Sequence, residues 1–229
     1  MTESTKPVAL VTGAGPGLGA SLVRRFAKQY AVAINARNAN YVRTLAEEVR
    51  AGGGTALEVA CDIGDRAQVV AAFRTIRERL GPVEVLLYNA GTGNWGTIAE
   101  ITPEQFEQSW RVNAFGAFVC AAECAKEMLS RGRGVMLFTG ATAGVKAGPR
   151  SVAFGPAKFA MRGLSQSLAR DLGPKGIHVA WINIDGGIGS ANEALLDPDA
   201  IAETYWHLAH QHRSAWTMET ELRPFKEKF

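Results

Sequence analysis

Short runs of β-branched and other apolar residues alternate along the whole chain with longer amphipathic stretches. This alternation is typical of a parallel β-sheet with helices on both faces, because parallel strands need helix-length crossovers. The predicted strands are 8–12, 31–36, 55–60, 83–88, 134–139, 177–183 and 216–222. The predicted helices are 17–30, 40–51, 66–80, 103–130, 151–173 and 199–210. We therefore predict an α/β fold with a doubly wound parallel sheet of about seven strands, the first six of them buried.

No linker, repeat or low-complexity segment divides the 229 residues, and a chain of this length buries a sizeable core as one unit. Glycine pairs and Gly-Pro turns follow the predicted helices, as at Gly81-Pro82 and Gly173-Pro174. We predict a single domain over residues 1–229. Within it, residues from about 184 to 212 are expected to form a substrate loop and a lid helix, and residues 213–229 a last strand and a C-terminal arm.

Charge and cysteine content exclude several classes of protein. Lys and Arg number 25 against 22 Asp and Glu, a net charge of +3, and the basic residues are scattered, so we expect no nucleic-acid partner. The uncharged stretch Val8 to Val23 is shorter than a membrane span and contains four glycines and a proline, which predicts no membrane segment. Three cysteines without a CxxC pattern favour a cytoplasmic location. The spacing of His207, His210 and His212 does not suit a metal, and we predict none.

The first predicted strand runs directly into a glycine-rich turn and then into a helix. The turn reads Gly13-Ala-Gly-Pro-Gly-Leu-Gly19, a GxxxGxG spacing. Backbone amides at such a helix start face a pyrophosphate, so this segment predicts a dinucleotide site. The alternative is a turn that only lets strand and helix pack closely.

Four segments together resemble the short-chain dehydrogenase/reductase family over about residues 7–190. They are the turn from Thr12 to Gly19, Asp62 after the third strand, Asn89-Ala90-Gly91 after the fourth strand, and Asn113 in the long helix. The resemblance implies a Rossmann-like fold and a nicotinamide cofactor. It assigns to the cofactor Gly13, Gly15, Gly17, Leu18 and Gly19 at the pyrophosphate, Asp62 and Ile63 at the adenine, Asn89, Ala90 and Gly91 along the cleft, and Lys158 at the nicotinamide ribose.

The residues after the second strand bear on which nicotinamide cofactor is used. They read Asn35-Ala-Arg-Asn38, with no carboxylate to accept hydrogen bonds from a ribose 2′-hydroxyl. Arg37 can instead pair with a 2′-phosphate, so NADP(H) is favoured over NAD(H). The alternative is that Arg37 is an exposed loop cation.

The resemblance breaks at the catalytic positions. In the family a Tyr four residues before a Lys acts as general acid or base, and a Ser thirteen residues before that Tyr donates to the substrate oxygen. Here these positions hold Phe154 and Ala141, whereas Lys158 and Asn113 are present and are the predicted catalytic residues. In the family Asn113 accompanies a helix irregularity. The chain is therefore predicted to be an atypical member without the catalytic Ser and Tyr.

Substitutes for the two missing hydroxyl groups are few. Thr142 and Ser151 lie close to positions 141 and 154, but capping or turn roles are favoured for both. Asp185, after the sixth strand, is a further carboxylate for which a turn role is favoured.

Two functions follow from these patterns. The first is an NADP(H)-preferring oxidoreductase that exchanges a hydride with a small carbonyl, alcohol or activated alkene. The alternative is a catalytically impaired NADP(H)-binding pseudoenzyme that acts as a sensor or scaffold.

The same residues carry expectations about partners and the pocket. The helices that carry Asn113 and Lys158 are apolar on more than one side, which predicts a homodimer or homotetramer. Four aromatic residues can shape a pocket if the last helix is a lid, with core packing as the alternative; they are Trp95, Phe154, Tyr205 and Trp206.

Overall fold

Seven strands and seven α-helices alternate in the computed structural model, which describes residues 6–227. The strands are β1 Val8–Thr12, β2 Ala31–Ala36, β3 Thr55–Ala60, β4 Val83–Tyr88, β5 Gly134–Thr139, β6 Ile177–Ile184 and β7 Glu219–Leu222. The helices are α1 Leu18–Ala27, α2 Ala39–Ala51, α3 Arg66–Arg79, α4 Pro103–Trp110, α5 Gly116–Arg131, α6 Phe154–Leu172 and α7 Pro198–Ala209. The strands form one parallel sheet in the order β3-β2-β1-β4-β5-β6-β7. This confirms the predicted fold class.

The element bounds differ from the predictions mainly at two places. The expected helix 103–130 consists of α4 and α5, joined by a π-helical segment, Arg111–Phe115, that contains Asn113. A π segment fits the helix irregularity that the resemblance implies at this residue. The last strand begins at Glu219 rather than Trp216, because residues 213–215 form a short 3₁₀ turn before it.

The prediction that β3 is buried is wrong. This strand lies at the edge of the sheet and pairs only with β2. Thr55, Glu58 and Ala60 are exposed, and Val59 alone of its six residues is buried. The central strands β1 and β6 are buried along their whole length, because both have a neighbour on each side and helices above and below.

The prediction that the last helix is a lid is also wrong. Helix α7 packs against α1 on one face of the sheet. Its side chains Ile201, Tyr205 and Leu208 are buried in the core of that face. Trp206 also packs internally, with its ring 5.2 Å from the Phe26 ring. The alternative of core packing therefore holds for both aromatic residues of this helix.

The described part of the C-terminal arm rests on the segment that follows β6. A Cβ atom on Gly186 would lie 2.8 Å from Pro224 Cδ, and Lys226 pairs with Glu193 at 2.7 Å. Lys228 and Phe229, the end of the predicted arm, lie outside the described residues.

None of the helices within residues 6–227 has the length and apolar character that a membrane span requires.

Candidate active site

The glycine-rich turn is packed tightly on one side. A Cβ atom on Gly13, whose φ is 67°, would lie 2.5 Å from Ala90 Cα, and one on Gly19 would lie 2.4 Å from the Gly13 carbonyl oxygen. Neither contact is possible for a larger residue. Gly13 lets the turn approach the end of β4, and Gly19 lets the start of α1 pack against the turn itself. The turn is thereby held at the carboxyl edge of the sheet.

The other side of the same turn is open. A Cβ atom on Gly15 or Gly17 would meet no atom within 4 Å. Gly17 precedes α1, and no side chain of residues 6–227 caps this helix N-terminus. Backbone N–H groups at an uncapped N-terminus bind anions, since they have no intrahelical acceptor and lie at the positive end of the helix dipole. The residues present therefore fit the pyrophosphate of a dinucleotide.

Asn89 holds the turn in place from behind. Its Nδ2 donates to the Gly13 carbonyl oxygen at 2.9 Å, and its Oδ1 accepts from Thr139 Oγ1 at 3.2 Å. The Thr139 hydroxyl also pairs with the Tyr205 hydroxyl at 2.7 Å. Asn89 does not line the cleft as predicted, because both ends of its amide are engaged with neighbouring strands and the turn.

A cleft of about 330 Å³ opens beside the turn at the ends of β2, β3 and β4. Of the predicted cofactor residues, its lining includes Gly13, Gly15, Arg37, Asp62, Ile63, Ala90 and Gly91, and omits Gly17, Leu18, Gly19, Asn89 and Lys158. Leu18 is buried in the core behind the turn. Six lining residues lie outside the predicted set. Asn35 and Ala36 are the last residues of β2, Val112 belongs to the π-helical segment, and the others are Asn38, Cys61 and Thr92.

The end of the cleft at β2 is cationic. Arg37 is exposed there and lies one residue before Asn38, which caps α2 by accepting from the Tyr41 backbone N–H at 3.1 Å. Among the described residues of the lining, Asp62 is the one carboxylate, and its Oδ1 accepts from the Gly64 backbone N–H at 2.9 Å. Burial raises the pKa of the Cys61 thiol to about 11, so this cysteine is neutral at physiological pH.

Lys158 lies on the first turns of α6, next to Gly91 and outside the lining of the cleft itself. Its side chain is buried, and its Nζ donates to the Thr139 carbonyl oxygen at 2.9 Å. Burial lowers the pKa of Lys158 to about 8, because the ammonium is removed from water. An ammonium has three N–H donors. A Cβ atom on Gly91 would lie 3.6 Å from this Nζ, so the group adjoins the cleft at Gly91, which is one of its lining residues.

The side chain of Asn113 places a second polar group next to Gly91 and Lys158. Its Nδ2 donates to the carbonyl oxygens of Thr92 at 2.9 Å and Ser109 at 2.8 Å. Its Oδ1 is buried and has no hydrogen-bond partner among residues 6–227. That oxygen lies 3.1 Å from the position a Cβ atom on Gly91 would take, beside Lys158. A buried acceptor without a partner next to a lysine fits a site that binds a polar ligand group.

The reacting centre next to Lys158 is aromatic. Phe154 begins α6, and its ring centroid lies 5.5 Å from Lys158 Nζ. The Trp95 ring packs against the Phe154 ring at an angle of 46°, with 4.8 Å between the ring centroids. Ala141 precedes a short 3₁₀ turn, Thr142–Gly144. Neither Phe154 nor Ala141 can donate a hydrogen bond from its side chain.

The two substitute hydroxyl groups are engaged within the protein. Thr142 Oγ1 donates to Asp185 Oδ1 at 2.6 Å, and Ser151 Oγ donates to the Gly148 carbonyl oxygen at 2.8 Å. Asp185 is buried and pairs with Arg223 at 3.3 Å. The expectation that Asp185 only forms a turn is therefore wrong, since its carboxylate links β6 to the loop after β5 and to the C-terminal segment.

Comparison with known proteins identifies the family. The sequence profile of short chain dehydrogenases matches residues 7–194. The chain belongs to the short-chain dehydrogenase/reductase family. It is 38% identical to the short-chain dehydrogenase/reductase eriH of Hericium erinaceus over 180 residues, which cover 76% of this chain and 71% of that protein. It is also 30% identical to D-threitol dehydrogenase of Mycolicibacterium smegmatis over 224 residues, 88% of this chain and 85% of that protein.

Solved structures agree. A short-chain dehydrogenase from Rhodopseudomonas palustris has a TM-score of 0.88 at 35% identity, covering 96% of this chain and 99% of that one. A metagenomic short-chain oxidoreductase in complex with NADP has a TM-score of 0.87 at 27% identity, covering 96% and 98%. The family's fold binds a nicotinamide cofactor, and the residues of the cleft fit such a group. Among residues 6–227, no group of three or more His, Cys, Asp or Glu could hold a metal ion.

Proposed function

We propose that this protein is an NADP(H)-dependent oxidoreductase that exchanges a hydride with a small carbonyl, alcohol or activated alkene. The observation that carries the proposal is the cleft itself. An open glycine turn lies beside it and Arg37 stands at one end, while Lys158 and Asn113 adjoin it at Gly91. Asn113 Oδ1 has no hydrogen-bond partner among residues 6–227. When bound, the nicotinamide ring supplies the hydride.

The preference for NADP(H) rests on charge. Arg37 is exposed at the β2 end of the cleft and makes no ion pair with the described residues, so its guanidinium is available to a 2′-phosphate. No carboxylate follows β2 to favour an unphosphorylated ribose. The metagenomic relative was solved with NADP, which supports the same assignment.

The chemistry of the acceptor follows from the missing hydroxyl groups. Reduction of a simple ketone produces an alkoxide that is about as basic as hydroxide, so it needs a proton donor. Reduction of a quinone produces a phenolate, whose conjugate acid has a pKa of about 10. The phenolate takes its proton from water and needs no acid from the protein. We therefore expect quinones and activated alkenes to react and unactivated ketones to react poorly.

The test is NADPH consumption, followed by its fluorescence, with a panel of aldehydes, ketones, quinones and activated alkenes. We expect turnover with the quinones or alkenes. We expect Lys158→Met to lower this turnover, because the variant loses the ammonium next to Gly91. Lys28→Gln, on the exposed end of α1, is the matched control. Silence across the panel at high protein concentration, with NADPH bound, would refute the proposed activity.

A second function is favoured by the packing of Phe154 between Trp95 and Lys158. A pseudoenzyme that only binds NADP(H), as a sensor or scaffold, requires the cleft but no proton donor. It predicts NADPH binding of normal stoichiometry without turnover of any acceptor.

We also propose that the protein is a homodimer or homotetramer and that it is cytoplasmic. Small apolar residues of the helices that carry Asn113 and Lys158, such as Ala117 and Ala157, are buried within the protomer. Larger side chains on α4, α5 and α6 are exposed instead: Phe106, Trp110, Phe118 and Phe159. Exposed aromatic residues are common at protein interfaces. Light scattering should show an oligomer that Phe118→Glu weakens; a monomeric wild-type protein would contradict this.

The cytoplasmic location rests on the cysteines. All three are free, and Cys120 and Cys124 are buried in the core. Buried thiols without disulfides suit a reducing compartment.

A further inference from the structure

A second cavity, separate from the cofactor cleft, lies against the reacting centre. It has a volume of about 620 Å³ and lies between Trp95 and the loop of residues 142–151. None of its lining residues also lines the cofactor cleft. The volume lies within the range of about 300–1,000 Å³ that is usual for small-molecule sites. We call it the outer cavity.

The outer cavity adjoins the residues expected to face the nicotinamide. Thr142 lines it and directly follows Ala141. Trp95 lines it on the other side and packs on Phe154, whose ring lies beside Lys158. The outer cavity therefore adjoins the reacting centre through Thr142, next to Ala141, and through Trp95, which contacts Phe154.

The walls of the cavity are tied together by the backbone. The Gly96 N–H donates to the Arg150 carbonyl oxygen at 2.8 Å, and Gly96 forms a parallel bridge with Ser151. These contacts link the loop that carries Trp95 to the loop 142–151. Backbone contacts therefore hold the two walls of the cavity together, and a preorganised site lowers the cost of binding.

The lining of the cavity consists of one flat aromatic side chain and several small apolar residues. The Trp95 side chain is 58% exposed although it lines a pocket, so one part of its indole has no partner in the protein. The facing residues are small, among them Ala143, Ala147 and Pro149. Flat aromatic surfaces pair with other rings at centroid distances of about 4.5–7 Å.

Two cations stand at the rim, and no lining residue is acidic. Arg150 pairs with Glu100 at 3.0 Å. Lys146 is exposed and makes no ion pair with the described residues. The neutral hydroxyl groups of the lining, on Thr142 and Ser151, already donate their protons within the protein. The polar recognition that the cavity can offer is therefore directed at an anion.

We propose that the outer cavity binds the hydride acceptor and that this acceptor is a planar aromatic or quinonoid ring bearing an acidic group. This rests on the proposed oxidoreductase function and names its substrate class. The ring stacks on Trp95 and the acidic group pairs with Lys146. In the reaction the quinone takes a hydride from the reduced nicotinamide and becomes a hydroquinone anion, the nicotinamide is oxidised, and water supplies the remaining proton.

Calorimetric titration of the NADP⁺-bound protein tests the substrate class without turnover. The probes are 2-hydroxy-1,4-naphthoquinone, which is an anion at neutral pH, its neutral 2-methoxy analogue, and 4-oxocyclohexanecarboxylate, an anion without a planar ring. We expect the hydroxynaphthoquinone to bind most tightly and the saturated keto acid most weakly.

Variants separate the two contacts. Trp95→Ala should weaken both quinones by about tenfold, whereas Trp95→Phe keeps a ring and should retain most of the affinity. Lys146→Gln should weaken the hydroxynaphthoquinone by about two- to fivefold and leave the methoxy analogue unchanged. Lys28→Gln, remote from the cavity, should change neither. Trp95→Ala and Lys146→Gln proteins that bind both quinones like the wild type would overturn the proposal.

A separate NADPH titration distinguishes the two levels of inference. If NADPH does not bind, the proposed function fails. If NADPH binds and neither quinone does, the substrate class alone is overturned.

Discussion

The proposal that Ala141 and Phe154 replace the catalytic hydroxyl groups of the family is tested most sharply by putting hydroxyl groups at both positions. The change is Ala141→Ser together with Phe154→Tyr. The Phe154 ring already lies 5.5 Å from Lys158 Nζ, so a phenol at this position is placed beside a cation. A neighbouring ammonium lowers the pKa of a phenol from its usual value of about 10, which makes the phenol a better acid.

The size of the gain follows from what each hydroxyl group supplies. A positioned general acid contributes about 10²- to 10⁴-fold, and a hydrogen-bond donor to the developing oxyanion about 10²- to 10³-fold. We therefore expect Phe154→Tyr alone to raise kcat/KM for an unactivated aldehyde by about 10² or more, and the double variant to exceed it. Quinone reduction should change little, because its product needs no protein acid.

The assay is NADPH-dependent aldehyde reduction, measured as kcat/KM over a range of pH. The rate of the double variant should fall at high pH as the phenol ionises. Phe159→Tyr is the matched control, because it adds a phenol to an exposed position on the same helix. An unchanged aldehyde rate in the double variant, with NADPH still bound, would refute the account of the reacting centre.

Two further predictions concern stability. Burial lowers the pKa of Lys158 from 10.5 to about 8, so the folded protein loses this proton at a lower pH than the unfolded chain does. As pH rises from about 8 to 10.5, the free energy of unfolding of the wild type should therefore increase by up to roughly 3 kcal/mol relative to that of Lys158→Met. Urea denaturation of both proteins measures this difference. A difference that does not change with pH would contradict the burial of the charge. Gly13→Ala should cost about 2–5 kcal/mol and abolish NADPH binding, since its Cβ would overlap Ala90 at positive φ. Gly53→Ala, which has positive φ and no neighbour within 4 Å, should cost about 1 kcal/mol and keep NADPH binding; equal effects of the two changes would argue against the tight packing of the turn.

Much of the fold follows from local sequence because strand and helix patterns are sharply separated by turn residues. The strands β1 to β5 begin and end at the predicted residues. Exposure of β3 could not be predicted in this way, because position at the edge of a sheet is a property of strand order. The role of α7 was equally ambiguous, since Tyr205 and Trp206 suit a lid and a core alike, and only packing against α1 decides between them.

The sequence predicts site residues whose place depends only on their position at a turn or a strand end. Gly13, Gly15, Arg37 and Asp62 line the cleft, and their roles toward a cofactor stay predictions. Roles that depend on distant partners were not accessible. Asp185 is buried against Thr142 and Arg223, 43 and 38 residues away along the chain, and no local pattern signals such a pairing.

The role of Asn89 shows the same limit in a different way. Its position after β4 was correctly identified, but its amide binds the Gly13 carbonyl oxygen from behind the turn instead of facing the cofactor. The direction of a side chain at a strand end depends on the neighbouring strand, and β4 lies between β1 and β5.

Titration of the purified protein with NADPH and with NADH tests the central claim most directly. NADPH should bind at one site per chain, about tenfold or more tightly than NADH, and Arg37→Ala should remove that preference while leaving NADH affinity unchanged. NADPH at ~100 times its Kd should also stabilise the fold by about 2.7 kcal/mol. Absence of binding by either nucleotide would contradict the assignment of the cleft.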